Sequence, residues 1–342
     1  MKILRKGFLL MGVFVSWLGA MAQQKPHYTQ YIMNQYILNP AITGIENYTD
    51  IKLSHRHQWV GVLDAPVTTY FTIHKAINKY DTRVTATSFE MPDENPRGKE
   101  YWKEYSAPEP HHGIGMQIIN DRTGPLNRFS GLVTYAYHMA LSTRTSLSAG
   151  IAAGVTNISI NSSKLDFYEP VDPAVFGSGV LNNFRPDINA GLYVYSADYF
   201  LGLSAQQIYP QKINFSDGGV NETEGGKSVP HFFLTGGYRF GIGDNWNIIP
   251  SVMVKYIQPT PVQFDFNAKL AYRDRIWFGF GGRLHDGLTA MTGLNISNTV
   301  NIGYSYDYNT SKIYNYSKGT HEIMVGFTIG QHYGLGCPRN IW

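Results

Sequence analysis

Residues 262–273 read VQFDFNAKLAYR, and the two alternating faces of this stretch decide the fold. One face carries Val262, Phe264, Phe266, Ala268, Leu270 and Tyr272; the other carries Gln263, Asp265, Asn267, Lys269, Ala271 and Arg273. A period of two marks a β-strand with one apolar and one polar side. Residues 300–308, VNIGYSYDY, repeat it, with Val300, Ile302, Tyr304, Tyr306 and Tyr308 opposite Asn301, Gly303, Ser305 and Asp307. Phe232, Leu234, Gly236, Tyr238 and Phe240 likewise oppose His231, Phe233, Thr235, Gly237 and Arg239. A soluble β-sandwich also alternates, so the make-up of each face must arbitrate. The polar faces are rich in Gly, Ser, Thr and Asn, as a crowded wet lumen requires, and the apolar faces end in Tyr, Phe and Trp, as an aromatic girdle would. A sandwich core would leave too many tyrosine hydroxyls without partners. The fold class that follows is all-β: a transmembrane antiparallel outer-membrane β-barrel.

Working outward, fourteen strands are predicted near 49–57, 67–76, 113–120, 128–141, 145–158, 187–196, 199–207, 230–241, 246–258, 262–273, 275–285, 287–296, 298–308 and 320–330. An even count suits a bacterial single-chain barrel. The connections after strands 4, 6, 8, 10 and 12 are tight, whereas 159–186, 208–229 and 309–319 are long. Short turns on one rim and long loops on the other are the barrel arrangement, with the short turns periplasmic. Both termini are then expected in the periplasm. Residues 77–112 fall on the short-turn rim yet are long, with four prolines and many charges. Two readings stay open for them, a flexible insertion and a periplasmic docking element.

Composition agrees with this class. Only 15% of the 342 residues are charged, 14% are aromatic and 35 are glycine, which excludes disorder and a coiled coil. The formal charge of +3 is concentrated at the start, where Lys2, Arg5 and Lys6 precede any acidic residue; the remainder balances at 25 against 25. No basic surplus calls for nucleic acid. The same three cations, an apolar run from Gly7 to Gly19 and Ala20-Met21-Ala22 make 1–22 a signal peptide. The run is too short to span a bilayer as a helix. The single cysteine, Cys337, excludes an internal disulfide and a cysteine zinc site.

Residues 23–48, QQKPHYTQYIMNQYILNPAITGIENY, do not alternate. Tyr28, Ile32 and Tyr36 repeat at i, i+4 until Asn39-Pro40 stops the pattern, which predicts a short helix with one packed face. A barrel of fourteen strands is too wide for its own side chains to fill, so the segment is expected to plug the lumen, with a periplasmic tail as the other reading. Pro26, His27, Tyr28, Gln30, Tyr31, Asn39 and Pro40 are the expected plug or partner contacts. The domain plan is 1–22 leader, 23–48 plug-like segment, 49–330 barrel with the 77–112 insertion, and 331–342 tail.

Three blocks carry a family likeness. PHYTQY at 26–31 leading to Asn39-Pro40-Ala41, RHQWVG at 56–61 with Ala65-Pro66, and NDRTGP at 120–125 occur in this order. In this the chain resembles the PorP/SprF-type outer-membrane proteins of the Bacteroidota. The resemblance implies a part in type IX secretion, with secretion components and a secreted adhesin-like protein as partners. Read as residues alone, Gln58, Trp59 and Gly61 fall in the first external connection, and Asn120, Asp121 and Arg122 open a turn ending in Gly-Pro.

Chemistry candidates are few. His111-His112 reads as a loop pair, since no third ligand lies at a convincing spacing. His55 and His57 read as luminal polar residues. His138 and His285 are expected on the inner face without an identifiable partner, so no nucleophile or base can be assigned. Asp265, Lys269, Arg239, Lys255, Arg273, Arg283, Asp307 and Glu322 mix signs, as a network stiffening the wall would. There is no phosphate loop, dinucleotide fingerprint or calcium loop. The sequence therefore leads us to expect no catalysis, cofactor or metal, with outer-membrane lipid around the barrel. The expected function is a barrel assisting export or surface anchoring of an adhesin-like protein. The alternative is a channel for small or hydrophobic solutes gated by 23–48.

Overall fold

A computed structural model describes residues 28–79, 106–161, 164, 180–210, 212–213, 226–242, 245–258, 260–272, 275–284, 286–297 and 299–330. Residues 1–27, with Pro26 and His27 and the expected leader among them, most of the 77–112 insertion, Arg273, His285 and residues 331–342 lie outside these residues.

Fourteen antiparallel strands close on themselves. They are β1 Thr49–His57, β2 Val67–Ile77, β3 His111–Thr123, β4 Leu126–Ala140, β5 Ser146–Asn161, β6 Val180–Tyr195 and β7 Tyr199–Gln206. β8 comprises His231–Tyr238 and Phe240–Ile242, interrupted at Arg239; both parts pair with β9, Trp246–Ile257. β10 Gln263–Tyr272, β11 Ile276–Arg283, β12 Gly287–Asn295, β13 Val300–Asn309 and β14 Thr320–Ile329 complete the wall. β14 pairs with β1 from Thr49↔Ile329 to His57↔His321, so the wall closes without an edge strand. Lys212–Ile213 and Gly226–Lys227 form a separate small ribbon.

The alternation has the expected sense. Phe266, Phe280, Val133 and Ile323 project outward and exposed, while their neighbours Asp265, Thr134 and Glu322 are buried inside. Rings gather at both ends of the outer face: Tyr238, Phe240, Trp246 and Tyr272 at one rim, and Phe232, Tyr256, Phe264 and Tyr308 at the other. Two such belts are what a bilayer's two interfaces select.

Three expectations about the wall are corrected. Asn120, Asp121 and Arg122 are strand residues paired with Phe129, Arg128 and Asn127; only Gly124-Pro125 turns, with Gly124 at φ 57°. Polar residues near a barrel rim face water in either conformation, so their composition resembles a turn. His55 and His57 face outward near the rim, because the inner face of β1 is Asp50, Lys52, Ser54 and Arg56. His111 is the first residue of β3 and points inward, while His112 points out to Tyr135.

Residues 28–48 lie inside the barrel. They form three short 3-10 turns, Thr29–Met33, Gln35–Ile37 and Pro40–Ile42, instead of the predicted single amphipathic helix. Asn34 breaks the first at φ −146°, and the Asn39 side chain accepts from Ala41 N–H to start the third. A peptide walled in on every side has no solvent face, so nothing selects one apolar stripe. The segment starts beside the ends of β1, β13 and β14 that lead to the loop rim, and reaches the turn rim at Thr49. The described chain thus begins, at Tyr28, in the loop-rim half; the termini themselves lie outside the described residues.

Candidate functional site: the seat of the luminal segment

At the loop-rim end a charged cluster clasps the segment. Arg56 of β1 donates to Asp307 Oδ2 at 2.7 Å, to Glu322 Oε2 at 3.1 Å and to Thr29 Oγ1 at 2.5 Å. The Thr29 hydroxyl donates to Asp307 Oδ2 at 2.6 Å, and its backbone N–H donates to Glu322 Oε2 at 3.0 Å. Gln30 Nε2 donates to the Glu322 carbonyl at 2.7 Å, and Ser54 donates to Glu322 Oε1 at 3.1 Å. Glu322 is fully buried, so its charge is held by these donors instead of water. Asp307 and Glu322 were legible as luminal charges. Arg56 and Thr29 were visible only within the family blocks, since a single sequence does not pair β1 with β13 and β14.

Further along, wall side chains take over the backbone groups that the 3-10 turns leave open. Gln117 donates to the Tyr36 carbonyl at 2.7 Å, Ser204 to Leu38 at 2.8 Å, Gln206 to Ile37 and Leu38 at 3.0 and 2.9 Å, and Ser148 to Ala41. Asn39 Nδ2 reaches the Leu192 carbonyl at 3.0 Å. Tyr31 accepts from Asn267 at 2.6 Å, Tyr36 bonds Thr134 at 2.6 Å, and Tyr193 donates to Gln35 at 3.1 Å. Burial raises the phenols of Tyr28, Tyr31 and Tyr36 above the usual tyrosine range, so each stays neutral with a hydroxyl proton to share.

The turn-rim end rests on three histidines. His74 Nδ1 accepts from Gly44 N–H at 3.1 Å, His138 Nε2 donates to the Thr43 carbonyl at 2.8 Å, and His111 Nε2 lies 3.2 Å from the Gly44 carbonyl. His111 and His138 stack at 4.5 Å. His138 also meets the Tyr195 hydroxyl at 3.0 Å, the partner that sequence reasoning could not name. Glycines let the peptide lie on the wall: a Cβ on Gly150 would come within 2.5 Å of the Pro40 carbonyl group, and one on Gly113 would meet Thr43. The cavity beside the segment, lined in part by Tyr36, Ile45, Asp50 and Lys269, measures ≈ 30 Å³. That is room for a water or two.

The remaining expected site residues are placed as follows. Tyr28 packs edge-on against Tyr70 at 5.4 Å, and Pro40 opens the third turn. In the first loop, Gln58 N–H bonds Pro66 and Trp59 N–H bonds the Thr320 hydroxyl, with Trp59 at φ 52° and Gly61 at φ 99°. This block staples the loop before β2 to the loop before β14. Asp121 faces inward and accepts from Thr68 at 2.7 Å, whereas Asn120 and Arg122 face out. Arg283 pairs with Asp265 at 3.1 Å and with Asp286 at 2.8 Å. Among the described residues no group of three or more His, Cys, Asp or Glu is placed to hold a metal.

Among solved structures the chain is similar to the CymD monoaromatic hydrocarbon channel, at 10% identity and TM-score 0.47 over 92% of this chain and 97% of that one. It is also similar to a Pseudomonas aeruginosa FadL homologue, at 9% identity and TM-score 0.44 over 91% and 95%. The translocator domain of autotransporter NalP from Neisseria meningitidis follows at 10% and 0.40, over 87% and 92%. No curated protein matches. The family described as type IX secretion system membrane protein PorP/SprF matches residues 20–327, nearly the whole chain. A closed fourteen-stranded wall with two aromatic belts is the form such a membrane protein takes in the outer membrane, and the chain belongs to the PorP/SprF family of type IX secretion system membrane proteins.

Proposed function

We propose that this barrel serves type IX secretion by binding, without catalysis, and assists the export or surface anchoring of an adhesin-like protein. The observation that carries the reading is the seat of residues 28–48. Their carbonyls and side chains bond to inward residues of β1 to β7, β10, β13 and β14. A gate that opens for each solute would have to break most of these bonds at once, and each buried group left unmade costs roughly 1–3 kcal/mol. A seat permanently filled by residues 28–48 leaves the two rims and the lumen mouth above Tyr28 as the working surfaces, with the loop rim toward the exported partner and the 77–112 side toward the secretion machinery.

The test is a pull-down of the tagged full-length protein from its native outer membrane in mild detergent. Recovery of a large secreted protein or of secretion subunits is expected. Recovery of the barrel alone, together with a conductance that a small solute opens in the intact protein, would overturn this reading in favour of a gated solute channel.

A further inference from the structure

Above the seat, toward the loop rim, the wall holds two arginines that the clasp does not use. Tyr70, Ile119, Ser130, Thr156 and Arg185 are successive Cα partners, one continuous row across β2 to β6. Tyr28 packs on Tyr70 at one end of the row, and Arg185 stands at the other. One step nearer the loop rim, the next row contains Thr68, Asp121, Arg128 and Ile158. Arg185 is 5% exposed, and its Nη1 and Nη2 have no hydrogen-bond partner; its Nε alone is engaged, donating to Asn183 at 2.7 Å. Arg128 Nη1 is also buried and unpartnered. Arg128 on β4 and Arg185 on β6 stand one row apart in the register, with only β5 between them.

The nearby acids accept from wall hydroxyls, Asp187 through Oδ2 alone while its Oδ1 receives no hydrogen bond. Asp121 accepts from Thr68, and Asp187 accepts from Thr156 at 3.0 Å, with Ser130 next in the hydroxyl chain at 2.8 Å. Neither arginine has an ion-pair partner among the described residues. A buried guanidinium with idle N–H groups costs several kcal/mol, and native structures keep such groups where a partner belongs.

We propose that Arg128 and Arg185 form a carboxylate-binding site in the loop-rim half of the lumen, beside Tyr28. Their planar forks match the two oxygens of a carboxylate. The two arginines and the carboxylates of Asp121 and Asp187 sum to no net charge, so a bound monoanion adds one uncompensated charge where a phosphate dianion adds two, which favours the carboxylate. The carboxylate comes from a free organic acid or from an acidic polypeptide; the polypeptide source rests on the function proposed above, and the free acid does not.

The test is calorimetric titration of the full-length protein in detergent with sodium acetate, inorganic phosphate and an acidic Gly-Glu-Gly peptide capped at both ends. Saturable acetate binding is expected, weakened about tenfold or more in Arg185→Gln and in Arg128→Gln. Both variants must keep the heat-modifiable gel mobility of a closed barrel, and Arg185→Lys, which keeps the charge, should lie between them and the wild type. Peptide binding about tenfold tighter than acetate identifies a polypeptide source; equal binding identifies a free acid. No saturable binding, binding unchanged in both folded variants, or phosphate binding tighter than acetate overturns the proposal.

Discussion

Arg56 and Glu322 are Cα partners across the seam where β14 closes onto β1, and their side chains pair at 3.1 Å inside the lumen. The same two residues hold Thr29, so closing the barrel and seating the luminal segment draw on one charge cluster. Glu322→Gln keeps the shape but leaves Arg56 with Asp307 alone. Breaking a buried pair on one side costs about 3–5 kcal/mol. Urea unfolding in detergent micelles should therefore show a loss of that order. A loss under about 1 kcal/mol would mean the cluster is solvated and does not clasp the peptide.

Thr29 allows the clasp to be loosened without breaking the seam. Thr29→Val removes the hydroxyl that bridges Arg56 and Asp307 and leaves Arg56 paired with both carboxylates. The barrel should lose no more than about 1.5–3 kcal/mol of stability, the worth of a hydrogen bond to a charged group. Residues 28–33 should nevertheless gain amide hydrogen exchange. Unchanged exchange there would show that the backbone bonds to Glu322 suffice.

Gly113 and Gly150 let the segment lie directly on the wall, because a side chain at either would overlap the backbone of Thr43 or Pro40. Gly150→Val should keep a folded barrel yet push residues 39–44 off their seat, since β5 itself tolerates a β-branched residue. Conductance in planar bilayers, near zero for the wild type, should rise in this variant. A variant as silent as the wild type would show that the segment shifts without opening a path.

Much of this was readable in advance, for identifiable reasons. Residues 262–273 revealed their faces because lipid and water impose opposite demands on neighbouring side chains, and that signal fixed fold class and strand number. Register across the seam was not readable: nothing local to Arg56 indicates that it opposes Glu322, 266 residues away. The segment 28–48 misled in the opposite way. Its i, i+4 spacing of Tyr28, Ile32 and Tyr36 resembles an amphipathic helix only if one side meets water, and here no side does. Asn120, Asp121 and Arg122 read as a turn because composition cannot separate a rim strand from a loop.

The outward face is tested by a charge at mid-wall. Val133, near the middle of β4, is 66% exposed to the surroundings of the barrel, while Thr134 beside it is buried in the lumen. In lipid vesicles Val133→Arg should cost about 2–4 kcal/mol, the penalty for a cation near the bilayer midplane. Val133→Leu should cost almost nothing. An arginine tolerated there as well as on an exposed loop would place the bilayer elsewhere on the wall.

Orientation is the last point, and one residue decides it. Leu63, in the loop between β1 and β2, is 91% exposed and lies on the loop rim. That rim carries the long connections, and long connections in barrels of this kind face the outside of the cell. In a Cys337→Ser background, which removes the chain's single thiol, Leu63→Cys should react with a membrane-impermeant maleimide in intact cells. A cysteine at Ser142, in the tight turn between β4 and β5, should react only after the outer membrane is opened. The reverse pattern would invert the barrel. It would then put the Arg128–Arg185 pair and the start of the luminal segment toward the periplasm, and any partner held by the loop rim would have to be met before export, not after it.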